Sequence, residues 1–129
     1  MDLKDLTPKS NVVEVVVKHP ISKEPLTNDD GSQMKIVVYA PHSKEYKTEL
    51  FAQTNSRIAR GPDKQITAEE LEESVINLYG VCTKEWNITY DGKKPEFSVN
   101  KAKEIYTEVF WIRDQLDTAL GNYLNFMTE

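Results

Sequence analysis

The sequence predicts an α+β fold, in which an N-terminal antiparallel β-hairpin is followed by about four α-helices. Residues 11–20 and 34–41 are rich in β-branched and aromatic residues and stop at a proline, as short strands do. Beyond them, helix-start signals precede apolar residues spaced by three and four positions. A length of 129 residues suits a single domain. We expect it to contain a flexible arm (residues 1–10), the hairpin (11–41) and a helical part (43–127).

Alternate residues of each predicted strand are apolar and should share one face of the sheet: Val13, Val15 and Val17 in the first strand, and Met34, Ile36 and Val38 in the second. The residues between the strands contain two prolines and an Asn-Asp-Asp-Gly stretch, which predicts a long loop. Because a lone hairpin is marginal in water, it should pack on the helices or on a neighbouring chain. Its unpaired edge, with Val37 and Tyr39, is a candidate pairing surface.

Three residues are predicted N-caps, since a hydroxyl oxygen can accept a hydrogen bond from a first-turn N–H: Ser43, Thr67 and Ser98. The first helix should extend over residues 44–59 and end before Gly61 and Pro62.

The second predicted helix begins with a T-x-x-E capping box at Thr67. Its apolar residues then recur at steps of four, three, four and four, at Leu71, Val75, Leu78, Cys82 and Trp86. This spacing predicts one continuous helix of about five turns that ends near Trp86. Gly80 lies inside it at a cost of about 1 kcal/mol relative to Ala, so the alternative is a break at Gly80.

Between the second and third helices, Asp91 and Gly92 predict a tight turn. Phe97 precedes the cap Ser98 and should staple the third helix by packing on Ala102. A short linker around Phe110 and Trp111 should lead to the last helix. The apolar stripe of that helix comprises Ile112, Leu116, Ala119, Leu120, Tyr123 and Phe126 or Met127.

Composition argues against several classes of function. The formal net charge is −5, and residues 64–129 hold the acidic excess, with twelve Asp and Glu against seven Lys and Arg. Lysines and arginines are too dispersed for a nucleic-acid footprint. The single Cys82 cannot support a disulfide framework or a multi-cysteine zinc site. Without an apolar leader or a long apolar run, we expect no membrane association and a cytoplasmic location.

Residues suited to catalysis are few, and we expect neither enzymatic activity nor a cofactor or metal. His19 and His42 each adjoin a proline in a loop, without a second ligand nearby in the sequence. The carboxylates of residues 69–73 lie at a helix start, where the helix dipole and solvation explain them. A pair of carboxylates brought together by the fold is the remaining enzymatic alternative.

Several short motifs follow one another along the chain: residues 36–46 (IVVYAPHSKEY), Trp86 with the Asp91-Gly92 turn, residues 95–102 (PEFSVNKA), residues 111–116 (WIRDQL), and Asn125-Phe126 near the end. In this order they resemble the tail assembly chaperones of long-tailed bacteriophages and prophages. The resemblance spans roughly residues 12–127, and its motifs are structural and not catalytic.

The resemblance implies a non-enzymatic protein that binds the tape-measure protein, a long helical and apolar chain, until tail-tube subunits assemble around it. The major tail protein would be the second partner. The location would be the host bacterial cytoplasm, and the chaperone would be absent from the mature virion. A longer product made by ribosomal frameshifting is common in the family. The alternative is a structural or tail-completion protein, or a generic interaction module, of the phage particle.

Candidate partner-binding residues come from three places: the hairpin edge, the acidic start of the second helix and the aromatic positions of the last two helices. They are Val37, Tyr39, Glu72, Glu73, Tyr106, Phe110 and Trp111. The aromatic residues have the spacing of core positions, although part of such a face can be left for a partner. Self-association through the hairpin edge is a further expectation.

Overall fold

A computed structural model describes residues 2–7 and 10–122 of the chain. In this part, an antiparallel sheet in the order β1-β2-β3 is formed by β1 (Val12–Val16), β2 (Lys35–Tyr39) and β3 (Thr83–Asn87). The helices are α1 (Lys44–Arg60), α2 (Ala68–Cys82), α3 (Val99–Glu108) and α4 (Phe110–Gly121). The predicted α+β class, with a hairpin and then helices, is confirmed. The third strand, between α2 and α3, was not predicted.

The expected arm contains a short 3₁₀ turn at Leu3–Leu6, whose N-cap is Asp2. The C-terminal part of the apolar stripe predicted for the last helix lies outside the described residues. It comprises Tyr123, Phe126 and Met127, and Asn125 lies outside them as well.

The hairpin has the register that the apolar alternation predicts. Val13 pairs with Val38 and Val15 pairs with Ile36, and all four side chains are buried. These residues face a core whose buried helical side chains come from α2, α3 and α4, and the deepest of them are Cys82, Ala102, Ile105, Tyr106 and Leu116. The opposite face of the sheet is more polar, and there Glu14 and Lys35 form an ion pair of 3.1 Å.

The second helix ends earlier than predicted. The helix ends at Cys82, and Thr83–Asn87 form β3, which pairs with the second edge of β2. The Thr83 hydroxyl donates to the Tyr79 carbonyl at 2.7 Å and shares a second hydrogen bond of 2.7 Å with the Tyr106 hydroxyl. Ladder hydrogen bonds to β2 therefore replace the helical bonds that the predicted continuation to Trp86 would have made.

Gly80 does not break the helix, so the alternative prediction was also wrong. A Cβ atom at Gly80 would lie 2.8 Å from Cγ of Lys103 in α3. A side chain at this position would therefore force the Lys103 side chain to move, because α3 packs closely on α2 here. This close packing offsets the low helix propensity of glycine.

The three predicted helix N-caps and the predicted tight turn are confirmed. The hydroxyls of Ser43, Thr67 and Ser98 accept from N–H groups three residues further on, at 3.0 to 3.2 Å. Asp91 and Gly92 both have positive φ, at 54° and 75°, as the central residues of a two-residue type I′ turn require.

The junction before the last helix differs slightly from the prediction. Phe110 and Trp111 belong to the first turn of α4, and the helical run is interrupted at Val109 instead. The predicted core residues of α4 are confirmed, since Ile112, Leu116 and Leu120 are buried.

Trp86 packs from the edge strand onto the connection that leads to α3. Its ring meets the Phe97 ring edge-on, with centroids 5.1 Å apart, and its Nε1–H donates to the Pro95 carbonyl at 2.9 Å. Phe97 thus contacts Trp86 as well as packing on the core. These contacts hold residues 94–98 against β3, although Trp86 itself is only half-buried.

We predict that Trp86→Ala lowers the free energy of unfolding by about 3 kcal/mol, because the ring contact and the packing are both lost. Trp86→Phe keeps an aromatic ring and loses the indole N–H, so it should cost only about 1 kcal/mol. Urea denaturation of both variants measures the difference. Equal losses for Ala and Phe would show that ring packing does not hold this connection.

Candidate functional site

The two candidate residues on the hairpin do not lie at a free edge. Val37 and Tyr39 belong to β2, which is the central strand because β1 and β3 pair with its two sides. Both side chains are half-buried. The prediction of a pairing edge at these residues was wrong, since the unpredicted β3 occupies that edge. The exposed edge of the hairpin is β1.

The three aromatic candidates have different environments. Tyr106 is fully buried and is hydrogen-bonded to Thr83, so it cannot contact a partner while the domain is folded. Burial also raises the pKa of Tyr106 well above the usual tyrosine range. Phe110 is 63% exposed at the start of α4, and Trp111 is half-buried against the core.

Glu72 and Glu73 are exposed on α2, as predicted. The carboxylate of Glu72 forms an ion pair of 3.3 Å with Arg113 of α4. Glu72 therefore belongs to a feature that spans two helices. We call this feature the acidic cleft and define it by Leu71, Glu72, Val75 and Tyr79 of α2 and Arg113, Asp114 and Asp117 of α4.

The acidic cleft has a volume of about 320 Å³ and an apolar floor. Leu71 and Val75 lie one turn apart on the same side of α2, and they are 47% and 39% exposed. They were predicted to be core residues of the second helix. The predicted core residues Leu78 and Cys82 are buried, together with Ile76 and Tyr79, whereas Leu71 and Val75 are left partly uncovered.

Three carboxylates and one guanidinium surround this floor, so the rim carries a net negative charge. The Tyr79 hydroxyl donates to the Asp117 carboxylate at 2.8 Å and holds it beside the cleft. Burial, followed by this hydrogen bond and the charge of Asp117, raises the pKa of Tyr79 well above its usual range. The hydroxyl therefore remains a donor throughout the physiological pH range.

Helix α1 adds further uncovered apolar surface. None of its residues is buried, and Leu50, Phe51 and Ile58 are 37%, 56% and 71% exposed. Polar contacts attach it to α2: Gln53 Nε2 donates to the Ser74 carbonyl at 2.9 Å, and Arg60 pairs with Glu70.

The start of α1 is attached to the core by one aromatic side chain. Tyr46 packs on the core near Asp117, whose charge adds to the burial that raises the tyrosine pKa. Leu50 follows one turn later on the same side of α1.

Neither a metal-ligand cluster nor an exposed cysteine is present among the described residues. No group of three His, Cys, Asp or Glu side chains there could hold a metal ion. Cys82 is fully buried, and burial, with smaller effects of Glu49 and Glu45, raises the pKa of its thiol to about 12. A thiol in this environment is a core residue and not a nucleophile. None of the described helices has the length and apolar character needed to cross a membrane.

Comparison with protein-family models, curated proteins and solved structures finds no match to this chain. The residues of the acidic cleft and the order of motifs along the chain are therefore the observations that bear on function.

The cleft combines predicted and unpredicted residues. Glu72 was a candidate, whereas Leu71, Val75 and the α4 residues were not. A signal for the latter exists in the sequence, because Arg113, Asp114 and Asp117 lie off the apolar stripe of α4 at helical spacing. The sequence does not show that this side of α4 lies next to the exposed side of α2.

We predict that Tyr79→Phe destabilises the domain by about 1 kcal/mol, since the Asp117 carboxylate loses its buried donor while the ring is retained. Asp117→Asn should cost a similar amount, and the double variant should cost little more than either single variant. Chemical denaturation of the three proteins tests this. Fully additive losses would show that the two side chains stabilise the fold independently.

Proposed function

We propose that this chain is a non-enzymatic assembly chaperone of a long-tailed bacteriophage or prophage. In this proposal it binds an apolar helical segment of the tape-measure protein in the bacterial cytoplasm and releases it when tail-tube subunits assemble. It is then absent from the finished particle. The order of motifs along the chain supports the family, and the acidic cleft supports a binding role.

The observation that carries the proposal is the exposure of Leu71 and Val75 between acidic side chains. An amphipathic helix binds a groove through apolar residues at spacings of three and four, and these side chains repeat at that spacing on α2. Covering them with a client helix would remove apolar surface from water on both partners. An apolar patch rimmed by polar groups is typical of an interaction site.

Charge indicates which helices would bind. The rim has carboxylates at Glu72, Asp114 and Asp117, and the Arg113 guanidinium is already paired with Glu72 at 3.3 Å. A client helix with Lys or Arg beside its apolar stripe would pair with the remaining carboxylates. A client with acidic flanks would be repelled. We therefore propose that the bound segment is apolar and flanked by basic residues.

The second partner would need a different surface, because the tape-measure segment covers the cleft. Phe110 is 63% exposed at the start of α4 and is not one of the residues that form the cleft. We assign it as the candidate contact for the tail-tube subunit. Large exposed aromatic residues are frequent energetic centres of protein interfaces.

The proposal predicts that co-expression keeps the tape-measure protein of the same phage soluble and bound to this chain. Leu71→Gln with Val75→Gln should lower the recovered complex at least about tenfold, because the apolar floor becomes polar while helix propensity is preserved. Val99→Gln is the matched control, since Val99 is 37% exposed on α3 and does not line the cleft.

Pull-down of the tape-measure protein with each variant gives the readout, and thermal melts confirm folding. An insoluble, unbound tape-measure protein with the wild-type chain would contradict the proposal. Recovery of the chain in stoichiometric amounts from purified virions would instead favour a structural tail protein.

A further inference from the structure

The exposed edge of β1 is partly closed by side chains. Ala40 N–H donates to the Asn11 carbonyl at 2.8 Å, and Val17 N–H donates to the Met34 carbonyl at 2.9 Å. The odd-numbered residues of β1 therefore form the ladder with β2, and the even-numbered residues direct their N–H and C=O groups away from the sheet.

The outward backbone groups at both ends of this edge are hydrogen-bonded to side chains. The Val12 N–H donates to Ser10 Oγ at 3.3 Å. At the other end, the amide of Gln115 in α4 accepts from the Lys18 N–H at 2.9 Å and donates to the Lys18 carbonyl at 2.8 Å. These are the two hydrogen bonds that a neighbouring antiparallel strand would make with Lys18.

Open space lies next to this edge. A groove of about 700 Å³ separates β1 from α4, and Glu14, Val16, Lys18, Trp111 and Gln115 are among the residues that line it. Glu14 and Val16, whose backbone groups point away from β2, line this groove, while Gln115 bonds to the backbone of Lys18. Unpaired strand edges of this kind accept a further strand.

Residues 14–18, which include the end of β1 and the two residues after it, form a segment that is complementary to itself when the strand is reversed. With Val16 opposite Val16 of a second copy, Glu14 lies opposite Lys18 in both directions. All three are even-numbered, so they lie on the same sheet face and their outward backbone groups meet. The alternative register with Glu14 opposite Glu14 would oppose like charges. On the inner face, Val15 would lie opposite Val17, which extends the apolar surface.

We propose that the β1 edge is a self-association surface, at which two copies of this chain pair antiparallel around a two-fold axis at Val16. The two three-stranded sheets then form one six-stranded sheet. The backbone N–H and C=O of Glu14 in each copy then bond to the backbone of Lys18 in the other copy. They replace the two hydrogen bonds of the Gln115 amide, which is displaced. This inference does not depend on the proposed chaperone function, because no β1 residue lines the acidic cleft.

Charge exchange tests the register. Glu14→Lys and Lys18→Glu should each weaken the dimer about tenfold, since each converts two attractive cross-strand pairs into two repulsive ones. The double variant Glu14→Lys with Lys18→Glu restores both pairs, so its dissociation constant should return to within about threefold of wild type. Sedimentation equilibrium over a concentration series gives the constants.

The matched control is Glu85→Lys on β3, the other edge strand of the sheet, where the residue is also exposed. This substitution should leave association unchanged. Thermal melts establish that every variant is folded. A wild-type chain that remains monomeric up to roughly 1 mM, the weak end of measurable affinities, would overturn the proposal. A double variant whose dissociation constant does not recover would also overturn it. The same holds for a Glu85→Lys variant that dimerises as weakly as Glu14→Lys.

Discussion

The pairing of β3 with β2 is the constraint on which the rest of the structure depends. It makes β2 the central strand and leaves β1 as the open edge of the hairpin. It also ends α2 at Cys82, where the Thr83 hydroxyl bonds both to the helix and to Tyr106 of α3. From β3 the chain returns through the Asp91-Gly92 turn to α3, so one strand joins the sheet to the helical part. A helix continued to Trp86 would have left the second edge of β2 unpaired.

Much of the fold was predictable because its signals are local. The two valine-rich and isoleucine-rich strands, the three hydroxyl caps and the Asp91-Gly92 turn are each determined by a few neighbouring residues, and each is confirmed. The strand β3 was not predictable in this way. Trp86 stands four residues after Cys82, which is in phase with a helix, yet in β3 it lies opposite Ile36 of β2. Only the availability of the β2 edge, a long-range property, decides between the two conformations.

The candidate site was harder to predict for the same reason. Glu72 could be proposed as exposed from its polarity, whereas Phe110 was proposed as an aromatic residue at core spacing. Tyr106 could not be separated from them, because a core tyrosine and an interface tyrosine share the same helical spacing. Leu71 and Val75 follow the apolar pattern of α2, but α1 and α4 cover only part of that helix. Exposure of these two side chains depends on helix packing, which no single stretch of sequence specifies.

The two proposed surfaces are the two places where the fold leaves groups uncovered. The helical part leaves apolar side chains uncovered between acidic groups, which suits a helical client with basic flanks. The sheet leaves one edge whose charges complement a reversed copy of itself. Self-association would present two acidic clefts on one particle. Two clefts can bind two segments of a long client with greater avidity than one, provided that the client spans them.

The most direct test of the acidic cleft as the client-binding site is chemical-shift mapping by NMR. The ¹⁵N-labelled chain would be titrated with the tape-measure segment that co-purifies with it. If the client binds in the cleft, the largest shifts occur in residues 71–79 of α2 and 113–117 of α4, with little change in β3. Large shifts confined to the sheet or to α3, with the cleft residues unmoved, would contradict it.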